Sequence, residues 1–253
     1  MDYIHKFNGR VEGYIHASSK YDHVLKNENL NAVKYLDPIK GDKILHISSV
    51  GVNLKKYINN IDEIDITEVE SNHEFALLGN VKHVQLNMLP YQNNYFDKII
   101  VIASFHHFNN DERAIIYKEI YRILKQNGIF ILADVKKDSM QAHFLNDFLD
   151  KYNPLGHNGM FFNSSDIELF KYSGFETTIE EENYTWNFNS IEELNDFCYN
   201  FFYLKNIEKE KIFEEVKKYL TILIDNDNNL IKWNWLLLFF IAKKYNNNSI
   251  SYP

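Results

Sequence analysis

The chain has 253 residues, 45% hydrophobic and 25% charged, enough to bury a sizeable core in one large domain or a domain with a cap, and not the composition of a disordered segment. The net charge of −8 argues against a large nucleic-acid footprint, because phosphate binding needs clustered Lys and Arg, and leaves a small molecule or a protein as the natural partner. Cys198 is the only cysteine, which excludes an intrachain disulfide and a cysteine-based zinc site and makes a reducing, cytoplasmic compartment the expectation.

The opening MDYIHKFNGR has no apolar core of the signal-peptide kind, and the first 35 residues read as largely helical, a lid over residues 1–40. From Lys43 onward, short β-rich runs alternate with helical stretches. KILHIS and EIDITEVE are strands, HEFALLGN is a short helix and VKHVQL a third strand. FDKIIVIAS is continuously apolar, as a strand covered on both faces would be. DERAIIYKEIYRILKQNG has helical spacing, with Asp111 able to cap its start and Asn127-Gly128 ending it. IFILADV is a fifth strand. This alternation predicts a parallel sheet with helices on both faces.

After Val135 the pattern changes. SMQAHFLNDFLDKY reads as a helix, NPLGHNGMFFN as a loop, SSDIELFKYSG as a capped helix and FETTIEEENYTW as a half-exposed strand. Two helical stretches, SIEELNDFCYNFFYLK and EKEKIFEEVKKYLTILI, fill a cap over 186–229. DNDNN turns the chain into a last strand, IKWNWLLLFFIAKK, which can pair antiparallel with the half-exposed one. The core then comprises 41–185 and 230–245, and 246–253 is a polar tail. The run WNWLLLFFIA is too short to span a bilayer, so no membrane partner is expected.

The centre carries a specific set of signals in order: Leu89-Pro90-Tyr91, Phe96-Asp97 opening the fourth strand, His106-His107 after it, and Leu124-Lys125-Gln126-Asn127-Gly128 before the fifth. In this order they resemble the small-molecule type of class I S-adenosylmethionine-dependent methyltransferases, over roughly residues 43–135. With the alternation, the resemblance implies an α/β fold. Its sheet is doubly wound, mostly parallel and seven-stranded (Rossmann-like), with the helical lid before it and the helical cap inserted before the last strand.

The family's first strand ends in an acidic residue followed by Gly-x-Gly-x-Gly. Here the acidic position falls on His46 and the glycine positions on Ser48, Val50 and Val52, with Gly51 between the valines. Glycines there permit positive φ and close approach of backbone to ligand, which a β-branched valine resists. Ser48 and Ser49 are small donors, and Gly51 can supply one special turn if the loop shifts by a residue.

The other stations are better kept. Glu70 ends the second strand nineteen residues after Gly51, where the resemblance implies a carboxylate on the ribose hydroxyls; a solvated strand end is the plainer use, and Glu68 is the competitor on the other side of the strand. Asn87 stands where the family often has an Asp that accepts from the adenine amino group, an acceptance that an amide oxygen can also make, with Met88 beside it to cover the base. Ser104 completes the cofactor-binding expectation. His106 and His107 follow the fourth strand at the carboxyl edge, where one of them can deprotonate a hydroxyl acceptor. Tyr14, Tyr21, His157 and Phe161 are the substrate-facing candidates, with His16, Met160 and Phe162 near them. The ten histidines are scattered, and no His/Asp/Glu grouping has metal spacing in the sequence, so no metal is expected.

Two functions stay open. One is methyl transfer from S-adenosylmethionine to a small organic acceptor. The other is a methyltransferase fold that has lost cofactor binding and acts as a non-methylating enzyme or a scaffolding or regulatory subunit, as a homodimer or paired with a homologue. A dinucleotide-dependent oxidoreductase fits poorly, because that site needs Gly-x-Gly-x-x-Gly.

Overall fold

A computed structural model describes residues 10–225 and 230–245. The first nine residues of the lid, four residues of the DNDNN turn and the tail 246–253 lie outside the described residues. Two helices, α1 (Val11–Lys20) and α2 (Lys26–Leu36), precede the sheet. The strands are β1 (Lys43–Ile47), β2 (Asp65–Glu70), β3 (Lys82–His83), β4 (Phe96–Ile102), β5 (Leu124–Val135), β6 (Glu176–Phe188), β7 (Ile222–Asp225) and β8 (Leu230–Lys243). The helices between them are α3 (His73–Leu78), α4 (Asn110–Ile123), α5 (Met140–His143), α6 (Asp150–Tyr152), α7 (Ile167–Tyr172), α8 (Ile191–Phe201) and α9 (Ile212–Val216). A π-helical segment, Phe144–Leu149, joins α5 to α6, so SMQAHFLNDFLDKY is helical as expected but with widened turns.

The sheet order is β3-β2-β1-β4-β5-β8-β6, with β7 paired to β8 off that path. β1 through β5 run parallel, and β8 lies antiparallel between β5 and β6. The strand order reverses between β1 and β4, which opens a crevice at their carboxyl ends. Side chains alternate across the sheet as its period of two demands. Ile44, Ile100, Ile131 and Ala133 join the core under α2, α5, α8 and α9. Leu45, Ile99, Val101, Phe130 and Leu132 join the core under α3, α4 and α7. β4 is buried at every position but Asp97, as its unbroken apolar run predicts.

Several expectations need correction. α4 is capped by Asn109, whose side chain accepts from Glu112 N while Glu112 returns a bond to Asn109 N, so Asp111 is a first-turn residue. α4 ends at Ile123, and the Asn127-Gly128 pair belongs to β5, with Asn127 at φ 63°. VKHVQL contributes a strand of only two residues. The stretch EKEKIFEEVKKYLTILI is helical only to Val216; its β-branched end opens β7, which makes the sheet eight-stranded among the described residues instead of seven-stranded. β6 continues to Phe188, so Trp186 pairs with Trp233 inside the sheet instead of belonging to the cap.

Candidate active site

The loop after β1 solves its turn with two residues. Ser48 takes φ 55° and Gly51 φ 86°, while Val50 and Val52 are not among the positive-φ residues. The special backbone has moved by one position, onto the glycine that remains. Val50 is buried and packs on Gly79 at the end of α3. A Cβ on Gly51 would overlap the Tyr14 ring, so α1 lies directly on the loop. Tyr14 also stacks against Phe201 of α8 (4.5 Å between ring centroids) and meets Phe75 edge-on at 5.2 Å. Burial pushes its phenol up.

Next to this loop is a small cavity lined by Arg10, Tyr14, Ser48, Val50, Glu70, Phe75, Ser104 and His107, among others. Glu70, 3% exposed, ends β2 here. Its Oε1 accepts from Ser71 N at 2.7 Å and Asn72 N at 3.2 Å. Burial nevertheless raises its carboxyl to about 7, the two N–H donors opposing the rise. The Ser48 and Ser104 hydroxyls are buried against this space with no hydrogen-bond partner. A carboxylate and two orphaned hydroxyls around one hollow are a built demand for a polar ligand, and they fit the ribose and amino-acid parts of S-adenosylmethionine. Next to Glu70 in sequence, Ser71 lines a mostly apolar slot with His83, Leu86, Asn87, Phe108, Ile115 and Ile116, a lining that suits a flat base.

The third hollow, a small one, lies beyond β4 and β5 and is lined by Arg10, Tyr14, Glu28, Val52, His106, His107, His157, Trp186, Phe201 and Trp235, among others. At its floor His106 Nδ1 donates to Asp134 Oδ1 at 2.7 Å, and His106 N donates to Asp134 Oδ2 at 3.0 Å. Asp134 also accepts from Val135 N and is fully buried at the end of β5. The bond leaves Nε2 as the basic nitrogen of His106. Glu28 of α2 is held by the Tyr184 hydroxyl at 2.6 Å, and burial raises it to about 7.

Arg113 assembles this floor. It is buried in α4, donates Nε to Phe105 O at 3.1 Å, donates to Met160 O and stacks on Phe162. Met160 N in turn donates to His106 O at 2.7 Å. The Phe105–His107 turn and the His157–Phe161 loop are thereby fixed together.

Of the residues singled out from the sequence, Ser48, Glu70, Ser104, His106, His107, Tyr14 and His157 line these hollows, and Asn87 lines the slot beside Glu70. Others are not brought there. His46 is wholly enclosed in the sheet with neither ring nitrogen bonded, and burial lowers it to about 3, so it is neutral and lines none of these hollows. Ser49 is buried and Met88 is 69% exposed beside the slot, not over it. Gly51 faces a separate surface hollow with Asp22 and Lys56. Tyr21 is a core residue bonded to Asp196 at 2.5 Å. Phe161 lies outside the third hollow, against the His106 ring at 5.5 Å. His16 is exposed. Asp134, Glu28, Arg10 and Arg113 were missed. The signal for Asp134 was an acid inside the apolar run IFILADV.

Residues 49–132, about a third of the chain, match a family described as "Methyltransferase domain". A curated relative, the ubiquinone/menaquinone biosynthesis C-methyltransferase UbiE of Pseudoalteromonas translucida, is 30% identical over 107 residues. That match covers 41% of each protein, so the chain spans about two fifths of the length of this relative. Among solved structures, a putative methyltransferase of Bacillus halodurans superposes with TM-score 0.60 at 15% identity, covering 87% of this chain and all of that one. The S-adenosylmethionine complex of Haemonchus contortus phosphoethanolamine N-methyltransferase 2 superposes with TM-score 0.56 at 16% identity, over 97% of this chain and 60% of that one. No helix among the described residues is long and apolar enough to cross a membrane. The matched segment runs from the glycine-poor loop into β5 and is similar to a methyltransferase domain, and the sheet built on it has the fold of these solved methyltransferase structures.

Proposed function

We propose that the chain methylates a small organic acceptor bearing a hydroxyl group, with S-adenosylmethionine as donor. The observation that carries this reading is the row of three hollows along the carboxyl edge of the sheet. Glu70 lines the first, its neighbour Ser71 lines the second, and the His106–Asp134 pair floors the third. When bound, S-adenosylmethionine supplies a methyl group activated by its sulfonium. Glu70 takes the ribose hydroxyls, Ser48 and Ser104 bond the amino-acid part, and the Asn87 amide accepts from the adenine amino group. His106 Nε2 accepts the acceptor's proton, and the Asp134 carboxylate holds Nδ1–H and steadies the imidazolium that forms. Trp186, Trp235, Phe201 and Tyr14 exclude water, so orientation supplies most of the acceleration. The acidic chain and the small aromatic hollow favour a small molecule over a nucleic acid, and buried Cys198 suits a reducing compartment such as the cytoplasm.

One contact favours the competing reading, a fold that has given up the cofactor: Tyr14 lies on Gly51, above the loop a methionine group would follow. Calorimetric titration with S-adenosylmethionine and S-adenosylhomocysteine decides between them. Micromolar binding is expected. No heat and no thermal stabilisation at millimolar ligand would refute the methylating reading and support the competing one.

A further inference from the structure

The sequence places His157 fifty residues after His107, so nothing in their spacing suggests a shared role. In the structure one ring nitrogen from each of His106, His107 and His157 lies within 4.8 Å of the other two. The ring centroids form a compact triangle, 4.1 Å for His106–His107, 5.4 Å for His106–His157 and 5.3 Å for His107–His157.

We propose that these three histidines form a divalent transition-metal site whose remaining coordination positions open into the aromatic hollow and take an oxygen-donor ligand.

Three features carry this. The first is tautomer. His106 Nδ1 donates to buried Asp134, and His157 Nδ1 is bonded at 3.0 Å to Asn146 Oδ1. The Asn146 amide is itself oriented, because its Oδ1 also accepts from Gly159 N at 2.7 Å and its Nδ2 donates to Gly159 O at 3.0 Å. Both rings therefore carry their proton on Nδ1 and their lone pair on Nε2. A carboxylate or amide oxygen behind the far nitrogen is the outer-shell arrangement that orients a metal-binding imidazole and raises its basicity.

The second feature is location. All three histidines line the same hollow, and the protein supplies three ligands, not four. Three protein ligands with an open position characterise a site that binds and activates a ligand instead of one that only holds the fold. An all-imidazole set suits zinc, copper, nickel or iron, not magnesium or calcium. Metal–nitrogen bonds of about 2.1 Å in tetrahedral geometry place the nitrogens about 3.4 Å apart. Contraction from 4.8 Å is within reach of χ rotation at His157, which sits on the loop between α6 and α7.

The third is charge. Asp134, a fully buried carboxylate, lies directly behind His106. A dication is favoured there.

The consequence goes beyond the methylating reading. With an ion present, His106 Nε2 is a ligand, and a hydroxyl bound to the ion ionises because the ion stabilises its oxygen; the proton leaves to solvent. The ligand class is accordingly an oxygen donor such as a hydroxyl or enol.

The test uses the full chain, freed of metal with chelator and dialysed. Zinc is titrated by calorimetry, and cobalt by visible absorbance. One zinc per chain is expected, with a cobalt spectrum of low coordination number. His157→Ala and the less disruptive His157→Gln should weaken zinc binding by more than the about 10–100-fold expected for loss of an outer-shell partner, the latter read in Asn146→Ser. His143→Ala, an exposed histidine outside the hollow, should bind like the parent. Circular dichroism shows whether each variant is folded. No stoichiometric zinc binding by the parent, or binding that folded His157→Gln leaves unchanged, overturns the proposal. S-adenosylhomocysteine titrated into the same metal-free preparation reads the methylating function separately, so either idea can fail without the other.

Discussion

Glu70→Gln should make the empty protein more stable at pH 8 and bind the cofactor less well. Burial raises the Glu70 carboxyl from its ordinary 4.5 to about 7. At about 1.4 kcal/mol per tenfold change in proton affinity, that displacement amounts to about 3 kcal/mol. The folded state binds this proton more tightly than the unfolded chain. Its contribution is therefore fully present below about pH 4.5 and is lost as pH rises through about 7. Glutamine cannot ionise and escapes the loss. Its oxygen can still accept from Ser71 N and Asn72 N, with its amide turned to the hollow. Urea unfolding at pH 4.5 and pH 8 should thus show the variant level with the parent at the lower pH and up to about 3 kcal/mol more stable at the higher. The same substitution should weaken S-adenosylhomocysteine by about 1–3 kcal/mol, the scale of a hydrogen bond to a charged group. A variant that is no more stable than the parent at pH 8 would refute the reasoning, because Glu70 would then be a well-satisfied carboxylate and not one retained at a cost.

Tyr14→Ala should tighten cofactor binding if the ring that lies on Gly51 must move aside, and calorimetry with unchanged or weaker affinity would count against that. Arg113→Met keeps the buried stem but leaves the Met160 carbonyl without its donor, while the Phe105 carbonyl keeps Phe108 N; it should cost about 1–3 kcal/mol in urea unfolding, and equal stability would dismiss the clamp. Val50→Gly should not rescue the loop. It removes a buried side chain packed on Gly79, should cost about 2–3 kcal/mol, and should leave cofactor affinity unchanged; a clear gain in affinity by calorimetry would show that the valine blocks the loop.

Much of the fold was legible because the strands differ in the signals that physics makes strong. FDKIIVIAS reads as a doubly covered strand since nearly every residue in it is buried. β3 was over-read, because VKHVQL has the residues of a strand but its register with β2 extends only over Lys82 and His83, with one further bond from Val84 N to Glu70 O. β7 was missed because Ile222–Asp225 follows a helical charge pattern and becomes a strand only by pairing with β8, a long-range contact with no local signature. The site divides the same way. Glu70 and the His106-His107 pair sit at strand ends, which topology brings to one edge. Asp134 acts from inside a strand, where a lone charge in an apolar run is the cue, whereas Arg113 sits beside Asp111 and Glu112 in the charged first turns of α4 and carries no such cue. Glu28 reaches the hollow from a helix outside the sheet, and no spacing rule connects it to β5.

The loop that prompted the doubt about cofactor binding cannot be judged by its own residues. Glycine spacing matters where backbone must take positive φ or leave room, and here those demands fall on Ser48 and Gly51, not on the valines. Val50 uses its bulk to pack against α3, and Val52 to wall the third hollow. Gly51 survives at a place where any Cβ would strike Tyr14. The loop and the lid helix are thus one packed unit, and the ring of Tyr14 occupies room that three glycines would leave open. Cofactor entry in such an arrangement is a question of whether α1 can lift Tyr14 from Gly51. That movement must break its ring contacts with Phe75 and Phe201, and with them part of the seam between the lid and α8. Opening the site and loosening the cap are therefore coupled. Cofactor bound beneath Tyr14 should increase hydrogen exchange in α1 and α8 together, where a preformed loop would leave both as they were.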